Sequence, residues 1–115
     1  TYEAVIDLQK EMPVTTIAAT FLQVPRSWIW FPSRVVFDIS TDGKNFTNVD
    51  DLPCSAAPIP EDYKASIDTC ASANPDRNLN GRYVRVRAYS IGKIPSWHPG
   101  AGRDPWIFVD EIFIQ

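Results

Sequence analysis

The chain has 115 residues, 44% hydrophobic and 12% aromatic, with 11 basic against 14 acidic side chains and a net charge of −3. That length suits one domain, residues 1–115, with a single core, and the composition is that of a globular protein, not a disordered segment. No basic stripe is present to neutralise phosphates, which argues against nucleic acid as a partner, and no apolar run approaches the ~20 residues needed to cross a bilayer, so no membrane insertion is expected.

β signals dominate. Tyr2, Ala4, Ile6 and Leu8 alternate with Glu3, Val5 and Asp7, as in a strand with one buried face. Gln9 to Pro13 carries turn chemistry, and Val14 to Gln23 is a second extended run rich in Thr, Ile, Ala and Phe. The aromatic segment Val24 to Pro32 is bracketed by Pro25 and Pro32, each of which removes a ladder donor, so it reads as a loop or an edge. Arg34 to Ser40 alternates again, with Val35, Phe37 and Ile39 on one face. Asp42-Gly43 then signals a hairpin, with Phe46 to Val49 as the returning strand.

Asp50 to Pro60 reads as a loop and Tyr63 to Cys70 as a strand, while turns are expected at Asn74-Pro75-Asp76 and from Asn78 to Gly81. In Arg82 to Tyr89, Val84, Val86 and Ala88 face one way and Tyr83, Arg85, Arg87 and Tyr89 the other, the arginines forming a solvated sheet face. Ile107 to Ile114 is apolar on both faces, which predicts a strand inside a sheet. Seven strand candidates, ten prolines and no helical period predict an all-β, antiparallel β-sandwich or jelly roll.

Cys54 and Cys70 fit either a disulfide of an exported protein or two unpaired buried thiols. Asn45-Phe46-Thr47 has the glycosylation pattern, which carries meaning only in a eukaryotic source. Catalysis finds no support. There is a single histidine, no metal-spaced cysteine pair and no nucleophile elbow, and Asp110 and Glu111 are adjacent on a strand and cannot flank one glycosidic bond.

The stretch Trp97-His98-Pro99-Gly100-Ala101-Gly102-Arg103-Asp104-Pro105-Trp106 sets two indoles, the only histidine and an Arg-Asp pair into an irregular backbone. With Arg26 to Phe31 it holds all four tryptophans of the chain. Rigid aromatics beside directed donors suit a sugar, whose C–H face stacks on an indole while its hydroxyls take hydrogen bonds. The candidate carbohydrate-binding residues are Trp106, Trp97, His98, Arg26, Trp28 and Arg103. The bland alternative is that tryptophans, Trp30 above all, plug the open end of the sandwich and that His98 stabilises a turn.

Ala4-Val5-Ile6-Asp7-Leu8, then Ile39-Ser40-Thr41-Asp42-Gly43-Lys44-Asn45-Phe46, Gly81-Arg82-Tyr83-Val84-Arg85-Val86 and Val109-Asp110-Glu111-Ile112 stand in the order found in the discoidin, or coagulation factor 5/8 type C, family. The chain resembles in particular the family 32 carbohydrate-binding modules attached at the C-terminus of Bacteroidetes exo-β-N-acetylhexosaminidases (chitobiases). The resemblance implies a galactose-binding-domain-like jelly roll with its ligand held by loops at one end. The stretch that precedes the Ile-Asp-Leu strand in the family is missing, so an edge strand and binding loops of the domain are expected to lie outside the sequence.

It further implies a non-catalytic, periplasmic, cell-surface or secreted module of a glycoside hydrolase. Its partners would be a glycan ligand and the parent catalytic domain, with a structural spacer or a protein- or lipid-binding domain as alternatives. Trp106, just before the last strand, is the implied stacking platform, with Arg26 and His98 as hydroxyl contacts. Glu111 is placed on one strand face with Ile107, Val109 and Phe113, and in related modules the matching glutamate binds a structural calcium. Its rival partner is an arginine such as Arg82, or water at a strand end.

Overall fold

The computed structural model describes residues 1–54, 66–73 and 79–115. Among the described residues seven strands form two antiparallel sheets: β1 (Tyr2–Pro13), β6 (Asn80–Tyr89), β3 (Arg34–Ser40) and β4 (Thr47–Pro53) in that spatial order, and β5 (Ser66–Ala73), β2 (Thr16–Gln23) and β7 (Phe108–Ile114) in the other. Inward residues from both sheets meet in one core. Val35, Phe37, Ile39, Val84, Val86 and Ala88 come from the larger sheet and Ile17, Ala19 and Phe21 from β2, with Ile107, Val109, Ile112 and Ile114 packed against them. The chain is therefore an all-β protein of two face-packed antiparallel sheets, as a β-sandwich requires.

Several boundaries differ from the sequence reading, each for a local reason. The turn expected at Gln9 to Pro13 is an irregularity inside β1: pairing runs to Asp7–Tyr83 and resumes at Met12–Gly81, with Gln9 at φ 76°. Asp7 accepts the Gln9 N–H at 2.8 Å, so the turn chemistry forms a bulge that leaves the strand unbroken. Asp50 to Pro53 belongs to β4, because Leu52 pairs with Val35 and packs on the core while Val49 is skipped in the register. The turn expected up to Gly81 is instead the start of β6 at Asn80. The turn at Asn74-Pro75-Asp76, residues 55–60 of the expected loop and residues 63–65 of the expected strand lie outside the described residues.

Two further corrections concern charge and edges. Arg85 and Arg87 are not a solvated stripe: both bond the buried Asp38 carboxylate, at 3.1 and 2.8 Å, and Arg85 lies over the Phe46 ring. Among the described residues the last strand, β7, is an edge of its sheet and not an interior strand, and its outward Phe108 and Phe113 are each 50% exposed.

Cys54, just past β4, and Cys70 on β5 form a disulfide that joins the two sheets. In the loop-entropy account, closing a ring of this size removes about 3 kcal/mol of freedom from the unfolded chain.

The β3–β4 turn is organised by Asp42. Its Oδ1 accepts the N–H groups of Asn45 and Lys44 at 2.8 Å each, and its Oδ2 accepts the Asn45 side-chain amide. Gly43, at φ 78°, supplies the left-handed residue. These donors, the Asn45 and Lys44 backbone amides foremost, hold the Asp42 carboxyl far below the usual carboxylate range. A depressed folded pKa contributes stability that is present above the unfolded value of about 4 and is lost as pH falls through the folded one. Thermal midpoints measured from pH 7 to pH 2 should therefore show Asp42→Ala less stable than the parent at pH 7, with the gap narrowing below about pH 4. A gap independent of pH would remove the carboxylate from this role.

Candidate functional site

The four tryptophans lie in two connections, residues 24–33 between β2 and β3 and residues 90–107 between β6 and β7. Both cross the same end of the sandwich, since β2 ends where β7 begins, with Leu22 opposite Phe108, and β3 begins where β6 ends, with Arg34 opposite Tyr89. In the first, Pro25 opens a single 3-10 turn, Pro25–Ser27, with its fixed φ. Trp28 then takes a left-handed conformation at φ 63°, rare for a large side chain, and its N–H donates to the Pro25 carbonyl at 3.0 Å.

The two connections are locked together. Trp30 N–H donates to the Trp106 carbonyl at 3.0 Å, Trp106 N–H donates to the Trp28 carbonyl at 2.8 Å, and Ile29 and Trp106 form a parallel bridge. His98 is the second tie. Its Nε2–H donates to the Pro25 carbonyl at 2.8 Å, and its Nδ1 accepts the Gly100 N–H at 2.9 Å, which fixes the neutral Nε2–H tautomer. At 5% exposure, with both ring nitrogens engaged inside the protein, His98 is a structural residue and not the hydroxyl contact expected of it.

The remaining site residues divide clearly. Trp30 is 1% exposed and sealed, its ring centroid 5.1 Å from that of His98 and 6.2 Å from that of Trp97. Its Nε1–H has no acceptor among the described residues, so packing holds the ring while the backbone N–H is tied to Trp106. Trp97 is half-buried at this aromatic joint, and Trp28 is half-buried against Gly100, where an added Cβ would stand 2.8 Å from the indole. Arg26 and Arg103 are exposed. Trp106 is 69% exposed while its backbone is pinned on both sides. The end of the sandwich thus offers one open indole on a pinned backbone, beside one sealed and two half-buried indoles.

Glu111 is not among apolar neighbours. The β2–β7 register shifts between Thr20 and Phe21, which pair with Glu111 and Val109, so Asp110 is bulged. The bulge moves Glu111 to the outer face with Phe113, whereas Ile107, Val109, Ile112 and Ile114 point inward. Glu111 is exposed, and among the described residues no three His, Cys, Asp or Glu side chains come together. Nor is Arg82 its partner. That guanidinium holds Asp7 in a two-pronged pair at 2.8 and 3.0 Å, which lowers the Asp7 pKa.

Sequence reasoning missed three supports. Ile94 anchors the second connection from a buried position, its N–H bonded to the Arg103 carbonyl and its carbonyl to the Gly102 N–H. Gln23, buried at the end of β2, accepts the Phe31 N–H through Oε1. Gly100 is required by the approach of Trp28. An isoleucine set between Lys93 and Pro95 in a Gly/Pro/Ser-rich run and a glutamine at an inward strand position were the available signals. Set against known proteins, the chain matches no family model and no curated entry.

Proposed function

We propose that this chain is a non-catalytic carbohydrate-binding module of the discoidin type, closest to family 32, and that Trp106 is its sugar-stacking platform. The carrying observation is the single indole left open, 69% exposed, at the rim where two locked connections meet. A preorganised aromatic surface loses little freedom when a pyranose stacks on it. Exposed Arg26 and Arg103 on the two connections are the fork-shaped donors for sugar hydroxyls, with the flanks of Trp97 and Trp28 completing the wall. The finer architecture we infer is the jelly roll of that family, supported by the two-sheet strand order and by the clustering of both tryptophan-bearing connections at one end.

In this reading the module holds a glycoside hydrolase, an exo-β-N-acetylhexosaminidase, near chains ending in galactose, N-acetylgalactosamine or N-acetylglucosamine, raising local substrate concentration. The Cys54–Cys70 disulfide supports a periplasmic, cell-surface or secreted location. One stacked ring and a few hydrogen bonds, opposed by association entropy, give a Kd on the order of 0.1–1 mM. A glycan array followed by fluorescence titration tests this: one sugar class should quench emission saturably, and Trp106→Ala should abolish the response while the buried tryptophans still emit. Absence of quenching by every sugar, together with firm docking onto the catalytic domain, would replace the reading with that of a structural spacer.

A further inference from the structure

We propose that the ligand of Trp106 is an extended glycan chain that continues from the indole onto the outer face of the three-stranded sheet, where Phe108 stacks a second ring. This rests on the glycan-binding reading and deepens it from a single terminal sugar to a run of several.

Ile107 and Val109 point into the core, so by strand alternation Trp106 and Phe108 share the outer face, about 7 Å apart along the backbone. Three rows then cross the sheet in register. The first is Phe108, Leu22 and Ile67, with Phe108 50% and Ile67 61% exposed; the second is Glu111, Thr20 and Thr69; the third is Phe113, Ala18 and Ala71. The apolar strip is thus continuous with Trp106 and is more than the single exposed apolar residues scattered on ordinary surfaces.

The middle row identifies the occupant. A protein interface concentrates apolar contacts at its centre and moves charge to the rim. Here two threonine hydroxyls, 3.3 Å apart, and the Glu111 carboxylate run across the centre, between aromatic ends. A sugar chain carries the matching mixture: C–H faces to stack on Phe108 and Phe113, and hydroxyl edges to bond Thr20, Thr69 and Glu111. Ala18 and Ala71 keep the third row low, so a chain can lie flat. The bulge at Asp110 and its neighbouring carboxylate discourage β7 from pairing with another strand.

The test is a length series, one to six units, of β-1,4-linked N-acetylglucosamine and of β-1,4-linked galactose, titrated by calorimetry against the intact chain. Affinity should rise about tenfold from one unit to four in the bound series, the equivalent of about 1.4 kcal/mol. Phe108→Ala should remove that rise, and Val5→Ala, on the outer face of the other sheet, should retain it. Equal affinity at all lengths would overturn the extension and leave the Trp106 reading standing. Absence of binding in both series would overturn the extension, and together with a blank glycan array it would overturn the Trp106 reading as well. A reversible dimer in sedimentation, lost in Phe108→Ala, would assign the face to a second protein chain instead.

Discussion

Replacing Asp38 with alanine is expected to destabilise the fold by about 3 kcal/mol, the lower part of the range for breaking a buried ion pair. Asp38 is 2% exposed on the outer face of β3. One carboxylate oxygen accepts Arg85 Nε and an Arg87 guanidinium N–H, and the other accepts the Asn48 amide at 3.1 Å. Removing it leaves two guanidiniums side by side without a counter-ion, one of which already has a buried Nε–H lacking an acceptor. Both arginine side chains keep about a quarter of their surface in water, which softens the loss. For a chain of this size the thermal midpoint should fall by roughly 10–15 °C. Asp38→Asn, which retains shape and loses charge, should fall less. A midpoint within 2 °C of the parent for Asp38→Ala, taking about 0.5 kcal/mol as the corresponding effect, would mean that the cluster adds no net stability.

His98→Ala should cost a similar amount for a different reason. The change leaves the buried Gly100 N–H without a partner, at about 1–3 kcal/mol, leaves the Pro25 carbonyl with the Trp28 N–H alone, and opens space against the Trp30 and Trp97 rings. Because this ring ties residues 24–33 to residues 90–107, the damage should be local as well as global. Hydrogen exchange at Trp106 and Trp30, whose amides bond across that joint, should accelerate more than exchange in β3 and β6. His98→Gln, which keeps an acceptor and a donor, should recover part of the loss. Uniform acceleration across all strands would show that the ring stabilises the fold without organising the joint.

The sandwich was legible because its signals are local. Alternation in Tyr2 to Leu8, Arg34 to Ser40 and Arg82 to Tyr89 follows directly from the period of a strand with one buried face, and β1, β3 and β6 carry it. What was not legible depends on pairing between distant segments. Asp50 and Asp51 look like loop residues until Asp51 meets Arg34 at 2.8 Å across the β3–β4 ladder. Glu111 shares a parity with Ile107 and Val109 in the sequence, and only the bulge opposite β2 turns it outward. Arg85 and Arg87 gain a buried partner because Asp38 faces them one strand away, a register that composition does not encode.

The site divides in the same way. The residue types are the ground for proposing a sugar as ligand, and the concentration of tryptophans in two connections follows from the chain alone. Which indole is open does not, because it depends on His98 and Gly100 drawing the two connections together and on Trp30 filling the joint beneath. Histidine between Trp and Pro could serve either role, and its two hydrogen bonds within the protein decide for the structural one.

The most direct test of the account is the indole N–H spectrum of the ¹⁵N-labelled chain, whose four tryptophans give four separable probes. Titrated to millimolar glycan, the Trp106 resonance should shift along a saturable curve while that of the sealed Trp30 stays in place. A Trp106 resonance that no glycan moves, or a shift confined to Trp30, would contradict the claim that the open indole at the rim is where sugar binds.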